Sequence, residues 1–334
     1  MTAPGPGPVL VMGAGSVGCY IGGRLQAAGA EVRYVGRARV LDGLRAQGLV
    51  LTDLAGGRVE LPASNLKLLD APAPPAALVL LCVKSGATGA AARELASVLP
   101  AGTPVLSLQN GVDNAAVAAA QAPALRCLPG MVPYNIAELG PGRFHRGTGG
   151  RLAAQDDPLL RPWLPLFEAA GLPLALHADL RPVQWGKLVI NLNNPVNALS
   201  GLPLREQLLD RDCRLVWAAL QREALAVLDA AGIVPAQVLS LPPRRLPGLL
   251  RLPNWAFRRL AARMLRIDPR ARSSMADDLA LGRPTEIDAL SGAVVRLARE
   301  HGRAAPLNER LMALLSVPRP VPIGGRALRR ALGV

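Results

Sequence analysis

A lysine and two asparagines at positions 187, 191 and 194 are the residues of this chain whose types and spacing could do chemistry. They lie in the largely apolar stretch Val183–Leu199, which reads as a helix. At 3.6 residues per turn, separations of i, i+4 and i+7 put Lys187, Asn191 and Asn194 on one stripe, with Asn193 facing elsewhere. A solvated helix face would carry Glu and Arg. Asparagine is a poor helix-interior residue, and a polar stripe across an apolar helix costs desolvation unless it meets partners or a ligand. An ammonium can give up a proton or oppose a growing negative charge, and amides can bind carboxylate or hydroxyl groups without adding charge. Pro195, which lacks an amide hydrogen, is expected to kink the helix.

A second constellation runs Arg272-Ser273-Ser274-Met275-Ala276-Asp277-Asp278, followed by Gly282-Arg283-Pro284-Thr285-Glu286-Ile287-Asp288. Thr285 with Asp288 resembles a helix-start box, which places Glu286 in the first turn of a helix whose apolar face is Ile287, Leu290, Val294 and Leu297. Taken alone, Ser274 and Glu286 read as helix caps. Beside the Lys/Asn stripe they add a hydroxyl and a carboxylate to a candidate site.

The N-terminal region carries a different signal. Val9–Met12 is an apolar strand that runs into Gly13-Ala14-Gly15-Ser16-Val17-Gly18, followed by an apolar helix through Ile21, Leu25 and Ala28. In that order the glycines have assigned work: Gly13 makes the tight turn, Gly15 lets backbone approach a pyrophosphate, and Gly18 lets the helix pack on its strand. A dinucleotide cofactor is the first hypothesis. The second strand, expected at Glu31–Val35, ends in Gly36-Arg37-Ala38-Arg39 with no carboxylate. An acid there would accept hydrogen bonds from a ribose 2′-hydroxyl, whereas arginine suits a 2′-phosphate, so NADPH is favoured over NADH. Arg37 is nearer the strand end and Arg39 stands in reserve. Two further strand ends, Lys84-Ser85 and Gln109-Asn110-Gly111, fall where ligands bind in open parallel sheets.

The elements that must hold these residues divide in two. Apolar runs at Ala77–Val83, Pro104–Leu108 and Ala124–Leu128, separated by alanine-rich segments, read as a parallel sheet with crossover helices. Met131–Ile136, Gly142–Arg146, Gly150–Ala154 and Pro173–Leu176 read as further strands, and Pro158–Ala170 as a helix. From Arg181 the pattern is helical, at Arg181–Ser200, Asp212–Ala231, Trp255–Leu265, Glu286–Glu300 and Pro306–Leu315. The expected organisation is a nucleotide-binding domain over 1–178, an all-helical domain over 179–316, and a Pro/Arg-rich tail over 317–334 that ends in a short basic turn.

The net charge of +14 raises nucleic acid as a partner, but aromatics are 3% and the arginines are scattered; the stretches 244–272 and 326–330 remain candidates for an acidic partner. Cys19, Cys82, Cys127 and Cys213 lie far apart, and with His145, His177 and His301 they offer no metal-ligand spacing. No apolar run approaches the ~18 residues of a membrane span, and the start has no basic leader, so a cytoplasmic chain is expected.

Taken together, Gly13–Gly18, Val83-Lys84, Gln109-Asn110-Gly111, Trp185-Gly186-Lys187-Leu188 with Asn191 and Asn194-Pro195, Ser273-Ser274-Met275 with Asp278, and Gly282–Asp288 resemble the ketopantoate reductase (2-dehydropantoate 2-reductase) family. The resemblance spans about residues 8–316 and is specific through the order and spacing of its motifs. It implies an α/β Rossmann-type domain followed by an all-α domain like the C-terminal one of 6-phosphogluconate dehydrogenase. It also implies NADPH-dependent reduction of 2-dehydropantoate to (R)-pantoate, the step towards pantothenate and coenzyme A. By the resemblance, Lys187 is the proton donor, and Asn110, Asn191, Asn194 and Ser274 bind the substrate. Gly13, Ala14, Gly15, Ser16, Val17, Gly18, Lys84, Asn110, the backbone near Ile136 and Glu286 lie on the cofactor side, joined by Arg37 from the strand-end argument. The partner is a small 2-oxo acid, with neither nucleic acid nor membrane, and a homodimer is left open. The family sets its second helix asparagine one residue further from the lysine, which leaves Asn193 and Asn194 both as candidates; the stripe and Pro195 favour Asn194. A further family asparagine has no counterpart around Leu202–Leu204. Alternatives are a reductase of another 2-oxo or β-hydroxy acid and a non-catalytic NADP(H)-binding regulator.

Overall fold

The computed structural model describes residues 6–262, 264–266, 271–317 and 321–334; parts of the arginine-rich stretch and of the Pro-rich segment lie outside the described residues, as do the first five residues. The chain divides after Leu180 into two compact units.

The first unit runs β1 (Val9–Met12), α1 (Ser16–Ala27), β2 (Val32–Val35), α2 (Ala38–Gln47), β3 (Leu49–Asp53), β4 (Arg58–Leu61), β5 (Lys67–Leu69), β6 (Leu78–Leu81), α3 (Thr88–Val98), β7 (Pro104–Ser107) and α4 (Asn114–Gln121). It continues with β8 (Arg126–Met131), β9 (Ile136–Gly140), β10 (Arg143–Arg146), β11 (Leu152–Gln155), α5 (Leu164–Ala169) and β12 (Leu174–His177). Eight strands form one sheet in the order β12-β11-β8-β7-β6-β1-β2-β5, parallel except where β11 meets β8. β1 lies between β2 and β6, so both of its faces are covered and it is apolar throughout. Val9 and Val11 feed a core with α1, α2 and α5, whereas Leu10 and Met12 feed a core with α3 and α4.

A second sheet, ordered β4-β3-β10-β9, is absent from the sequence reading. Its presence corrects the strand expected at Met131–Ile136: β8 stops at Met131, and Ile136 opens β9, which pairs with β10. Pro133 in the gap has no amide hydrogen to give to a ladder. The helix expected over Pro158–Ala170 is a 3-10 turn at Arg161–Trp163 leading into α5.

The second unit is helical among its described residues: α6 (Arg181–Asn191), α7 (Asn193–Ser200), α8 (Leu204–Leu209), α9 (Arg211–Ala230), α10 (Leu246–Leu250), α11 (Asn254–Leu260), α12 (Ser274–Ala280), α13 (Ala293–Glu300), α14 (Pro306–Leu315) and α15 (Gly324–Leu332). The 20-residue α9 is the axis against which α6, α7, α8, α10, α13, α14 and α15 pack. Its Arg214 is fully buried, donates to the carbonyls of Leu208, Leu209, Leu250 and Leu252 and to Asn254 Oδ1, and stacks 4.2 Å from the Phe257 ring centroid. One cation thereby caps the last turns of α8 and α10, whose carbonyls have no intrahelical partner.

Four expectations for this unit need correction. The helix expected over 181–200 breaks at Leu192, three residues before the proline. A proline ring crowds the carbonyl four residues back, here Asn191, so the break falls there and Pro195 sits in the first turn of α7, where its missing hydrogen costs nothing. The helix start near 286 uses no Thr285 cap; Glu286 precedes the helix and its carbonyl accepts from the amides of Ala289 and Leu290, with a wide turn over Asp288–Gly292. The expected basic turn at 326–330 belongs to α15, a helix that buries Leu328 and Leu332. Of the helix expected over Trp255–Leu265, α11 covers Asn254–Leu260. Cys19 in α1 and Cys213 in α9 are both fully buried, and all four cysteines are free thiols.

Candidate active site

The nucleotide motif adopts the geometry its glycines require. Gly13 has φ +110°, and a Cβ there would stand 2.6 Å from the Val83 amide nitrogen, so the loop packs directly on the end of β6. A Cβ on Gly18 would meet the Gly13 carbonyl oxygen and the Val11 side chain, which is the close approach of α1 to its strand. Gly15 is exposed, and a Cβ there would meet nothing within 4 Å. That open space borders the first turn of α1, where the amides of Ser16, Val17 and Gly18 have no intrahelical partner, so the cradle fits a pyrophosphate. Ala14 is buried, its amide donating to Val35.

At the end of β2 the two arginines have different surroundings. Arg39 is held by Glu138 of β9 through two hydrogen bonds of 3.0 and 3.3 Å. Arg37 is exposed at the residue that opens α2. No carboxylate follows the strand before α2, so the residues present fit a 2′-phosphate.

Lys84 and Asn110 follow β6 and β7, and a buried polar network joins their segments. Gln109 donates to the Val83 carbonyl and to Thr88 Oγ1, and it accepts from Ser107. Thr88 donates to Asn114, whose amide donates in turn to the Asn110 carbonyl and to Ser85. Gln109, Thr88 and Asn114 thus fix the backbone that presents Lys84 and Asn110. The sequence reading passed over Thr88 and Asn114, because their pairing spans 26 residues and leaves no local signal. Ile136 lies at the start of β9 in the second sheet.

In the helical unit, Lys187, Asn191 and Asn194 are each half-buried on α6 and α7, flanked by buried residues. Burial pushes the Lys187 ammonium down to about 8, and the Glu286 carboxylate opposes the drop. Asn193 is buried and fully engaged with Gln207 of α8, the two amides exchanging hydrogen bonds of 2.9 and 3.1 Å. Ser273, not Ser274, caps α12: its hydroxyl accepts from the Ala276 amide and donates to the Asn194 carbonyl. Ser274 is left exposed in the first turn. Asn197, which the sequence reading also passed over, accepts from the Ser273 amide and donates to the Leu202 carbonyl. Its signal was an asparagine at a fully buried position of an apolar helix. No cluster of metal ligands and no helix long and apolar enough to cross a membrane occurs among the described residues.

Residues 9–157 match the family model "Ketopantoate reductase PanE/ApbA", and residues 179–318 match that family's C-terminal model. The 2-dehydropantoate 2-reductase of Halobacterium salinarum is 30% identical over 316 residues, 92% of this chain and 97% of that protein. The crystal structure of a PanE/ApbA family ketopantoate reductase from Ralstonia eutropha is similar with a TM-score of 0.76 at 30% identity, covering 98% of this chain and all of that one. D-mandelate dehydrogenase, solved with NADH and anilino(oxo)acetate, shares the fold at a TM-score of 0.73, 19% identity, and coverage of 98% of this chain and 100% of its own. The ketopantoate reductase family uses NADPH. Matched along both of its units, the chain belongs to the ketopantoate reductase family and is an oxidoreductase acting on a CH–OH group.

Proposed function

We propose that this chain reduces 2-dehydropantoate to (R)-pantoate with NADPH, and that Lys187 delivers the proton. One observation carries the reading: a lysine whose pKa burial brings to about 8, with half-buried Asn191 on its own helix and half-buried Asn194 in the first turn of the next. NADPH, when bound, supplies the hydride. As the ketone carbon is reduced, its oxygen gains negative charge and takes a proton from the Lys187 ammonium, which becomes the neutral amine. A general acid works best with a pKa near the operating pH, and burial moves Lys187 towards it. Asn191, Asn194, Asn110 and Ser274 bind the substrate's carboxylate and hydroxyl through neutral groups, which leaves the lysine's pKa to be set by burial and by Glu286. The cradle at Gly13–Gly18 holds the pyrophosphate, Arg37 pairs with the 2′-phosphate, and Lys84, Glu286 and the backbone near Ile136 complete the cofactor side.

The missing amide around Leu202–Leu204 favours a second reading, a related 2-oxo acid as substrate of the same chemistry. NADPH oxidation measured with a panel of 2-oxo acids separates the two. The highest kcat/KM is expected with 2-dehydropantoate, and a markedly better substrate elsewhere in the panel replaces the first reading with the second. Lys187→Ala is expected to lower kcat by about 10²–10⁴-fold with little change in NADPH affinity. Near-normal turnover in that variant removes the proton-donor role.

A further inference from the structure

The last fourteen residues, 321–334, lie beyond the stretch that the family models match, yet they are built into the helical unit. Leu328 and Leu332 of α15 are fully buried, and the helix packs on α9, α7 and α14. A Cβ on Gly325 would stand 2.7 Å from both Asp210 Oδ1 and Cys213 Sγ, so α15 lies directly against the start of α9. Arg329 pairs with Asp212 at 2.9 Å and also donates to the Val334 carbonyl, while Arg310 of α14 donates to the Leu332 carbonyl. The chain entering α15 is fixed to the end of α7: the Ile323 amide donates to the Leu199 carbonyl at 2.8 Å, and a Cβ on Gly201 would meet Pro322 at 2.8 Å.

α7 is the helix that carries Asn194 and Asn197. Through Asn197, which accepts from the Ser273 amide, and through the Asn194 carbonyl, which accepts from the Ser273 hydroxyl, α7 also sets the corner from which Ser274 projects. We infer that α15 is a positioning brace for the substrate groups: by pinning the C-terminal end of α7 it holds Asn194 and Ser274 in register with each other. Lys187 lies on α6, beyond the break at Leu192, and the nucleotide cradle lies in the other unit, so neither depends on the brace. The inference rests on the substrate roles proposed above for Asn194 and Ser274.

Leu328→Glu in the 334-residue chain tests it by placing a charge in the contact between α15 and the rest of the unit. The expected result is a KM for the 2-oxo acid raised about tenfold, with the NADPH dissociation constant and the kcat pH profile unchanged. Hydrogen exchange should quicken at Asn197–Gly201 and Ser273–Ala276 while α1 and the eight-stranded sheet keep their protection. Leu328→Met should restore both readouts. If Leu328→Glu does not fold, Arg329→Ala, which removes the bonds to Asp212 and Val334, should give the same pattern at smaller amplitude. Unchanged exchange in α7, or quickened exchange with an unchanged KM, overturns the brace. Loss of NADPH affinity in parallel with the KM also overturns it, as this reports general loosening. An Asn194→Ala enzyme with normal KM would instead sink the substrate reading, an outcome the exchange measurement keeps separate.

Discussion

Burial and the Glu286 carboxylate pull the Lys187 ammonium in opposite directions, and their balance lies at about 8. With Lys187 as the proposed proton donor, the reductive reaction needs the protonated amine, so kcat should be level at low pH and fall above about 8 with the loss of one proton. The reverse oxidation needs the neutral amine and should rise through the same pH. Replacing Glu286 with glutamine removes the influence that raises the pKa, so the fall in the reductive profile should move to lower pH. A profile that stays in place would detach Glu286 from the lysine. Lys187→Arg should not restore full turnover, because guanidinium holds its proton too tightly. Arg37 gives a prediction of its own: NADPH should bind at least about tenfold more tightly than NADH, and Arg37→Asp should erase the difference. Equal binding of the two nucleotides by the unaltered protein, measured by titration, would show that the exposed arginine does not recognise the 2′-phosphate.

The adjacent amides Asn193 and Asn194 separate two kinds of work within one helix. Asn193→Ala leaves the buried Gln207 amide without its partner and should cost about 1–3 kcal/mol of stability in a denaturant melt, with little change in kcat. Asn194→Ala should leave the melt nearly unchanged and raise the substrate KM. The reverse pattern would mean that the break at Leu192 has turned the stripe. The strand, glycine loop and helix at 9–27 were legible in the sequence because three local signals agree in order over a few residues. The four-stranded sheet was not, since β4 and β9 are short and half exposed, and β3 pairs with β10 across 93 residues, as in Thr52 with His145. α15 was legible in principle. Gly325, Leu328 and Leu332 recur at helical spacing, but a Pro-rich approach and three interspersed arginines mask that pattern with charge.

At the scale of the whole molecule, the site residues named from the sequence fall into a nucleotide group in the first unit and a lysine–amide group in the second. Motif spacing could name both groups. The residues that hold them, Gln109, Thr88 and Asn114 in one unit and Asn197 and Gln207 in the other, act through contacts that only the folded chain creates. The buried thiols add a consequence of a different kind. Cys19 of α1 and Cys213 of α9, whose sulfur faces α15, are both fully enclosed, and burial raises both thiols well above their usual range, so neither presents a thiolate to an alkylating reagent while its unit is closed. Each unit therefore carries its own chemical clock. In rising urea, the modification of each cysteine, resolved by peptide mass, should begin where that unit opens, and undocking α15 should hasten Cys213 while leaving Cys19 silent. Rapid labelling of both in the native protein would contradict the enclosure. If the two clocks run apart, the chain times the opening of its two halves with no added label other than the reagent.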